Sequence, residues 1–180
     1  MATLTIPDKN ITLHTLPEIR DYLAERGIWI DQWEASQPFS DSATQEEILA
    51  AYEPTLKPFM DKNHYQTADV ISVHAQTPNL PELREKFLRE HTHTEDEVRF
   101  FVDGQGFFWF NPGGEQPVFC VKCVAGDLLS VPANVKHWFD LGPTPFVKTI
   151  RIFTDTSGWT PHYTQSGVDS RYRNALVNQP

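Results

Sequence analysis

Three side chains that could bind a metal ion lie close together near the middle of this sequence, namely His91, His93 and Glu97. In an extended strand, residues separated by an even number of positions point to the same face. The pattern therefore predicts that two imidazole nitrogens and a carboxylate oxygen converge, a set that suits iron, nickel, zinc or manganese. Further along, the segment 132–136 has the composition of a turn and leads to His137, a third imidazole. We interpret this arrangement as a metal site inside a β-barrel.

The first half of the chain carries the sequence signals of short helices. The segments 15–18, 44–47 and 79–82 each place Thr or Asn three positions before Glu, directly ahead of an apolar stripe. This spacing is typical of a capping box, in which the two side chains satisfy the free N–H groups at a helix start. We therefore expect helices mainly within residues 15–90.

Short β-strands are predicted mainly within residues 70–155. Segments 103–106 and 111–114 are rich in Gly, Asp, Asn and Pro and are predicted to be turns between strands. Many short strands at near-regular spacing favour a mainly β fold with some α, either a barrel or a jelly roll. No repeat or linker divides the chain, so residues 1–180 are expected to form a single domain.

Composition excludes several classes of partner. The 180 residues carry a formal net charge of −9, and an acidic chain without a basic stripe is a poor binder of nucleic acid or of an anionic membrane. No apolar run approaches the roughly 20 residues that span a bilayer. The N-terminus has no cationic start followed by an apolar stretch, so we expect a cytoplasmic protein.

The two cysteines, Cys120 and Cys123, are predicted to be ordinary strand residues. They lie in the strand-like run 118–124, where positions three apart face opposite sides of a strand. A zinc ribbon would need a second pair of cysteines, which the sequence lacks. We therefore expect two free thiols in a reducing compartment.

Two longer patterns in the chain match the paired motifs of the cupin superfamily. The first is His91-x-His93-x-x-x-Glu97 followed after six residues by Gly104. The second is Gly126, five residues, then Pro132-x-Asn134-x-x-His137. Cupins usually have glycine where this chain has Asn134, and both residues tolerate a positive φ. This resemblance implies a double-stranded β-helix barrel that brings three imidazoles and one carboxylate together.

More specific strings resemble the acireductone dioxygenases of the methionine salvage pathway. They comprise residues 84–101, residues 130–140, and Arg151-Ile152-Phe153 followed by Gly158-Trp159. The resemblance covers most of residues 65–160 closely and the N-terminal part more loosely. Generic cupins do not share the Glu-Asp-Glu-Val-Arg-Phe-Phe string that begins at Glu95, so the sequence favours this family within the superfamily.

The resemblance implies a role for each candidate residue. The metal ligands would be His91, His93, Glu97 and His137, which leave two adjacent positions of an octahedral ion for an enediol substrate. Glu95 has the strand parity of a rival ligand and is also a candidate base or hydrogen-bond acceptor near the metal. Arg99 and Arg151 are candidates to hold the substrate anion, and the alternative for Arg99 is a structural salt bridge. Candidates for the pocket wall are Phe101, Phe139 and Trp159.

The reaction implied by the resemblance is cleavage of acireductone (1,2-dihydroxy-3-keto-5-methylthiopentene) with O₂. One Fe(II) or Ni(II) per chain is expected. The iron form would give formate and 2-keto-4-methylthiobutyrate, and the nickel form would give formate, carbon monoxide and 3-methylthiopropionate. All four ligands suit both ions, so the sequence does not choose between them. We expect a monomer, although the residues do not specify the oligomeric state.

Two hypotheses from other classes remain open at this point. A cupin with this ligand set could be a metal-dependent isomerase of a small keto or sugar substrate, which would need no oxygen. It could also be a non-catalytic sensor of small molecules. A sensor usually needs an output element such as a basic recognition helix, which this chain lacks, and a phosphosugar would need more cations than Arg99 and Arg151.

Overall fold

The computed structural model describes residues 1–35, 39–40, 42–155 and 160–175. Within these ranges the α-helices are α1 (Leu16–Ala24), α2 (Gln45–Asn63), α3 (Leu80–Leu88) and α4 (Val168–Tyr172). The β-strands are β1 (Thr3–Ile6), β2 (Ile11–Leu13), β3 (Trp29–Gln32), β4 (Thr67–His74), β5 (His91–Thr92), β6 (Glu97–Phe110), β7 (Phe119–Val124), β8 (Asp127–Val131), β9 (His137–Asp140), β10 (Phe146–Phe153) and β11 (His162–Tyr163). Three of the four helices precede residue 90, and strands dominate afterwards, as predicted.

The strands form two antiparallel sheets that share β6. The first part of β6 pairs with β8 and β10, and β3 and β4 complete that sheet. The second part pairs with β7 and β9, in a sheet ordered β11-β5-β9-β6-β7-β1-β2. Because one strand passes from one sheet to the other, the two sheets face each other around a common interior. This architecture confirms the predicted mainly β barrel.

The predicted turn at 103–106 is wrong, since β6 continues through it. Gly104 has a φ of +72°, and a Cβ there would lie 2.1 Å from the carbonyl oxygen of Phe146. The register with β10 also shifts between Lys148 and Thr149. The glycine therefore allows a bulge and a bend, and the strand changes sheets without ending.

The predicted capping boxes are confirmed at two helices and wrong at the third. Thr15 and Glu18 bond reciprocally at the start of α1, and Thr44 and Glu47 do so at α2. Asn79 precedes α3 in the left-handed region with a φ of 54°, and its side chain makes no capping hydrogen bond. An N-cap side chain reaches the first free N–H groups from an extended backbone, so the left-handed Asn79 does not complete the box.

Alternation along β6 separates the barrel interior from the two outer faces. Phe101, Phe108 and Phe110 belong to the interior cluster, while Val98 and Phe100 pack with α2 on the outer face of one sheet. The outer face of the other sheet is covered in part by α4. No helix among the described residues is both long and apolar enough to cross a membrane.

The two cysteines lie on opposite sides of β7, as the strand parity predicted. Cys120 belongs to the outer cluster and Cys123 to the barrel interior. Both are buried and free. Burial raises the pKa of each thiol well above its usual value, so neither is a reactive thiolate at neutral pH.

Candidate metal centre

Four predicted ligands meet inside the barrel. One donor atom from each of His91, His93, Glu97 and His137 lies within 4.8 Å of the others, and all four residues are buried. His91 on β5 pairs directly with His137 at the start of β9, and Glu97 is the first residue of β6. Buried groups of this kind need either one another or a cation for stability. Three imidazoles and one carboxylate around one point suit a divalent transition metal.

The sequence predicted that alternation along one strand would bring His91, His93 and Glu97 together. That prediction is wrong, because the three residues do not lie on one strand. β5 ends at Thr92 and β6 begins at Glu97, with a bend between them. The backbone N–H of Asn134 donates to the carbonyl of His93 at 2.8 Å, which joins this bend to the segment that precedes His137. The tertiary pairing of the two motifs, rather than strand alternation, therefore aims His93 at the site.

Backbone carbonyls orient two of the imidazoles. Nδ1 of His91 lies 2.7 Å from the carbonyl of Arg89, and Nδ1 of His137 lies 2.9 Å from the carbonyl of Val135. A carbonyl only accepts, so each Nδ1 carries the proton and donates it, which leaves Nε2 with a free lone pair. This contact fixes the tautomer that can bind a metal through Nε2. Nε2 of His137 lies 2.8 Å from Oε2 of Glu97.

The local electrostatics keep Glu97 and His91 deprotonated at neutral pH. Burial alone would raise the pKa of Glu97, but the charge of Arg99, the largest opposing influence, holds it well below its usual value. Burial and, after it, the neighbouring His137 together lower the pKa of His91 to about 3. Metal ligands must be deprotonated to bind, so both groups are in their binding form.

Arg99 lies in the barrel interior directly beside the four-residue cluster. Its Nε is 2.6 Å from Oε1 of Glu97, and its guanidinium carbon lies 4.8 Å from the ring centre of Phe139 and 5.4 Å from that of Phe108. The side chain of Arg99 therefore points into the barrel. Burial lowers the pKa of Arg99, and the charge of Glu97 opposes that shift.

Arg151 lies on the same face of the barrel wall as Arg99, its partner across β6 and β10. Its Nε donates to Asp69 at 2.7 Å, and its Nη2 also contacts that carboxylate. The neighbouring Ile150 and Ile152 point outward into the cluster under α2. Arg151 is therefore a cation near the site that already has a carboxylate partner.

Glu95 lies outside the four-residue cluster. Its Oε2 accepts a hydrogen bond from Thr154 Oγ1 at 2.5 Å, and among the described residues the grouping that could hold a metal contains Glu97 instead. The next residue, Asp96, accepts from the backbone N–H of Ala133 at 3.0 Å. Both carboxylates therefore connect the segment before β6 to neighbouring parts of the barrel.

The structure describes two of the three residues predicted to form the pocket wall. Phe101 and Phe139 are buried in the interior cluster, and Phe139 packs edge-on against Phe87 of α3 with ring centres 5.9 Å apart. Trp159 lies outside the described residues. The other four histidines of the chain lie outside the cluster: His14, His64, His74 and His162.

A model of the ARD/ARD' family matches residues 8–161. The chain belongs to this family. A curated relative named acireductone dioxygenase from Picosynechococcus sp. is 56% identical over 96% of this chain and 98% of its own length. Another of the same name, from Gluconobacter oxydans, is 47% identical over 96% of this chain and 94% of its own length.

The ARD/ARD' family also has a solved structure similar to this one. It is an acireductone dioxygenase from Bacillus anthracis with a cadmium ion in its active centre, with a TM-score of 0.84 and 37% identity. The match covers 91% of this chain and 98% of that chain. Membership in the ARD/ARD' family confirms the predictions of a cupin fold and of a metal-dependent dioxygenase.

Sequence analysis missed one buried carboxylate beside the metal centre of this ARD/ARD' chain. Glu90 is 2% exposed and accepts hydrogen bonds from Asn111 Nδ2 at 2.7 Å, from Ser166 Oγ at 2.7 Å and from Thr164 Oγ1. It thereby fastens the segment after β11 to the strand that carries His91. The only signal in the sequence was a charged residue directly before His91, which does not distinguish a buried carboxylate from a solvated one.

Proposed function

We propose that this enzyme cleaves acireductone with O₂ in methionine salvage. The observation that carries the proposal is the buried cluster of three imidazoles and one carboxylate, with the Arg99 guanidinium against Glu97. We further propose that the active form is a cytoplasmic monomer. The names of the relatives support the choice of substrate, since both relatives named above are acireductone dioxygenases.

We propose Fe(II) or Ni(II), one per chain, as the resident metal. The donor set fits either ion, because imidazole nitrogens and carboxylate oxygens bind both Fe(II) and Ni(II). His91, His93, Glu97 and His137 would hold it. When bound, the metal would supply a Lewis acid and a template that orients the enediol oxygens and O₂.

Arg99 is the proposed anion-binding residue. An ionised enediol is an anion, and a buried guanidinium beside it supplies charge-assisted hydrogen bonds in a site of low polarity. Phe139 stacks against the same guanidinium and Phe101 lies in the same interior cluster. These rings give the thioether tail of the substrate an apolar surface to cover.

Arg151 and Glu95 are proposed to make smaller contributions than Arg99 to holding the substrate. The Arg151–Asp69 pair stands beside Arg99 on the neighbouring strand, where its positive end adds to the field at the anion. Glu95, held by Thr154, is proposed as a hydrogen-bond acceptor near the substrate. Arg99 contacts the ligand Glu97 directly, whereas Arg151 bonds to Asp69 and Glu95 to Thr154, so each of these two is expected to contribute less than Arg99.

The metal is proposed to select the products. With iron, acireductone and O₂ would give formate and 2-keto-4-methylthiobutyrate. With nickel, the same reactants would give formate, carbon monoxide and 3-methylthiopropionate. Each set accounts for every atom of the two reactants, so no further co-substrate is required.

The test is an assay of purified protein reconstituted separately with Fe(II) and with Ni(II). Loss of acireductone absorbance is followed under anaerobic conditions and then after addition of air, and the products are analysed for carbon monoxide. Oxygen-dependent consumption with carbon monoxide from the nickel form alone is the expected result. Protein shown to contain metal that consumes no oxygen with either ion would refute the proposal and favour an oxygen-independent isomerase.

A further inference from the structure

A short row of charged side chains crosses three neighbouring strands of the barrel next to the metal centre. Arg99 on β6 is the direct partner of Arg151 on β10, and Arg151 is the direct partner of Asp69 on β4. Residues directly opposite each other on antiparallel strands project from the same face, with Cβ atoms about 5 Å apart. The two guanidinium groups are therefore neighbours, and like charges in such positions repel each other.

A carboxylate at each end of this row compensates the two cations. At one end, Oε1 of Glu97 lies 2.6 Å from Nε of Arg99. At the other end, Asp69 accepts from Nε of Arg151 at 2.7 Å and also from its Nη2. The guanidinium carbon of Arg151 lies 5.2 Å from the ring centre of Phe153 as well. Because a two-point contact fixes the orientation of a guanidinium, the donors of Arg151 are turned toward β4.

Glu97 is a second carboxylate within reach of Arg151. It lies two positions before Arg99 on β6, which is a diagonal position relative to Arg151 on β10. Diagonal neighbours on one face of a sheet are about 7 to 8 Å apart, a separation that long side chains span. A guanidinium released from Asp69 would therefore have Glu97 as an alternative acceptor.

The two oxygens of Glu97 have different surroundings. Oε1 lies against Arg99, whereas Oε2 lies 2.8 Å from Nε2 of His137 and 3.1 Å from Nε2 of His93. Oε2 is therefore the oxygen that faces the imidazole donors and that would bind the metal. Since Arg99 already contacts Oε1, a second guanidinium at Glu97 would bind Oε2 and compete with the metal for its lone pairs.

We propose that Asp69 is a positioning residue of the metal centre. It holds the guanidinium of Arg151 away from Glu97, so that Oε2 of Glu97 stays available to the metal. Asp69 is not one of the four clustered ligands and acts through Arg151. The inference rests on the resident metal proposed above, but it does not depend on the substrate or on the reaction.

The test is a double-mutant cycle at Asp69 and Arg151, in which the affinity for Ni(II) is measured by competition with a chelator. Asp69→Asn should weaken Ni(II) binding about tenfold, the lower end of the loss seen when a group that supports metal ligands is removed. Arg151→Gln alone should leave the affinity unchanged. The double variant should recover the affinity of the parent, because the guanidinium that would occupy Glu97 is gone.

The cycle separates positioning from the general field of the two charges. If Asp69 acted only through its negative charge, Arg151→Gln would strengthen Ni(II) binding as much as Asp69→Asn weakens it, and the two effects would add. Additive effects therefore overturn the proposal, and so does a double variant that binds as weakly as Asp69→Asn.

Asp31→Asn is the matched control. It breaks another Arg–Asp pair whose carboxylate side chain is about equally exposed, 35% against 32% for Asp69. Asp31 is the strand partner of Leu128, which packs in the outer cluster under α2, so this variant should bind Ni(II) like the parent. Asp69→Ala gives the same cycle if Asp69→Asn folds poorly. A parent that binds no Ni(II) would overturn the proposed metal as well, whereas additive effects in a parent that binds Ni(II) overturn the role of Asp69 alone.

Discussion

The side chains of the metal centre combine two requirements that usually conflict, burial and charge. Glu97 is 1% exposed, yet the charge of Arg99 keeps it ionised. A buried charge without partners would be neutralised. The guanidinium that stabilises the carboxylate therefore also keeps it in the form that binds a cation.

The metal ligands lead to the first prediction. His93→Ala and His137→Ala each remove one nitrogen donor, so each should lower metal affinity by more than about 100-fold and abolish activity with it. Metal content per chain and activity are measured on the same samples. His14→Ala, at an exposed position outside the cluster, is the control and should retain both. Full metal content in both ligand variants would refute the assignment.

Arg99 leads to the second prediction. Arg99→Leu should keep the metal, because all four ligands remain, but should reduce kcat/KM about 100-fold through loss of the group that stabilises the anion. Metal content and steady-state kinetics distinguish these effects. Arg20→Leu, which removes an arginine from the exposed pair with Asp31, is the control. Unchanged kinetics in Arg99→Leu would exclude this residue from the reaction.

At the scale of elements, β6 decides the geometry of the site. It carries Glu97 and Arg99 in one sheet and Phe108 and Phe110 in the other. These residues face one interior only because the strand bends through 103–106. Arg99 and Phe108 lie on the same strand, and the bend between them brings the guanidinium of Arg99 next to the ring of Phe108.

Gly106 leads to the third prediction. A Cβ at this position would lie 2.2 Å from Cζ of Phe139, so Gly106→Ala should lower the free energy of unfolding by about 1 to 3 kcal/mol through overpacking. Urea unfolding measures the change. In a Phe139→Leu background the ring atoms that clash are gone, and the same substitution should cost less. An equal cost in both backgrounds would contradict the steric explanation.

At the scale of the whole molecule, the two ends of the described chain meet on one outer face of the barrel. Tyr172 of α4 packs on the stacked Trp109 and Trp138, with ring centres 5.3 Å and 6.2 Å away. Its hydroxyl donates to Asp8 Oδ2 at 2.5 Å. This hydrogen bond joins two residues that are 164 positions apart in the sequence. That residues 1–180 form a single domain stays a prediction.

Tyr172 leads to the fourth prediction, which concerns pH. Burial and the hydrogen bond to Asp8 raise the pKa of Tyr172 to about 12 from an ordinary value of 10.0. The neutral hydroxyl therefore stabilises the folded state fully below pH 10, and this contribution is lost as the pH rises from 10 through about 12. Tyr172→Phe should cost about 1 kcal/mol of unfolding free energy at neutral pH.

The measurement is urea unfolding of the parent and of Tyr172→Phe at pH values on both sides of this window. The difference in unfolding free energy between the two proteins should shrink as the pH rises through it. A difference that stays constant to the alkaline end would show that the hydroxyl does not titrate with folding.

The sequence by itself determined three features through interactions between near neighbours. These are the kinds of side chain that can bind a metal, the capping boxes of α1 and α2, and the opposite directions of the two cysteines. Thr15 and Thr44 cap their helices through residues three positions away, and Cys120 and Cys123 follow the parity of one strand. Interactions over three or four residues depend on backbone geometry that the sequence itself specifies. The motif spacing identified the four clustered residues for the same reason, since each motif is short.

Only the tertiary structure decided how these pieces meet. His93 reaches the site through a bend tied to Asn134, and Glu90 becomes a buried acceptor because the segment after β11 folds back onto it. The glycines at 103–106 were predicted to end a strand, but pairing with β10 and β7 continued it as a bend. Each outcome depends on partners far away in sequence, whose packing outweighs local preference.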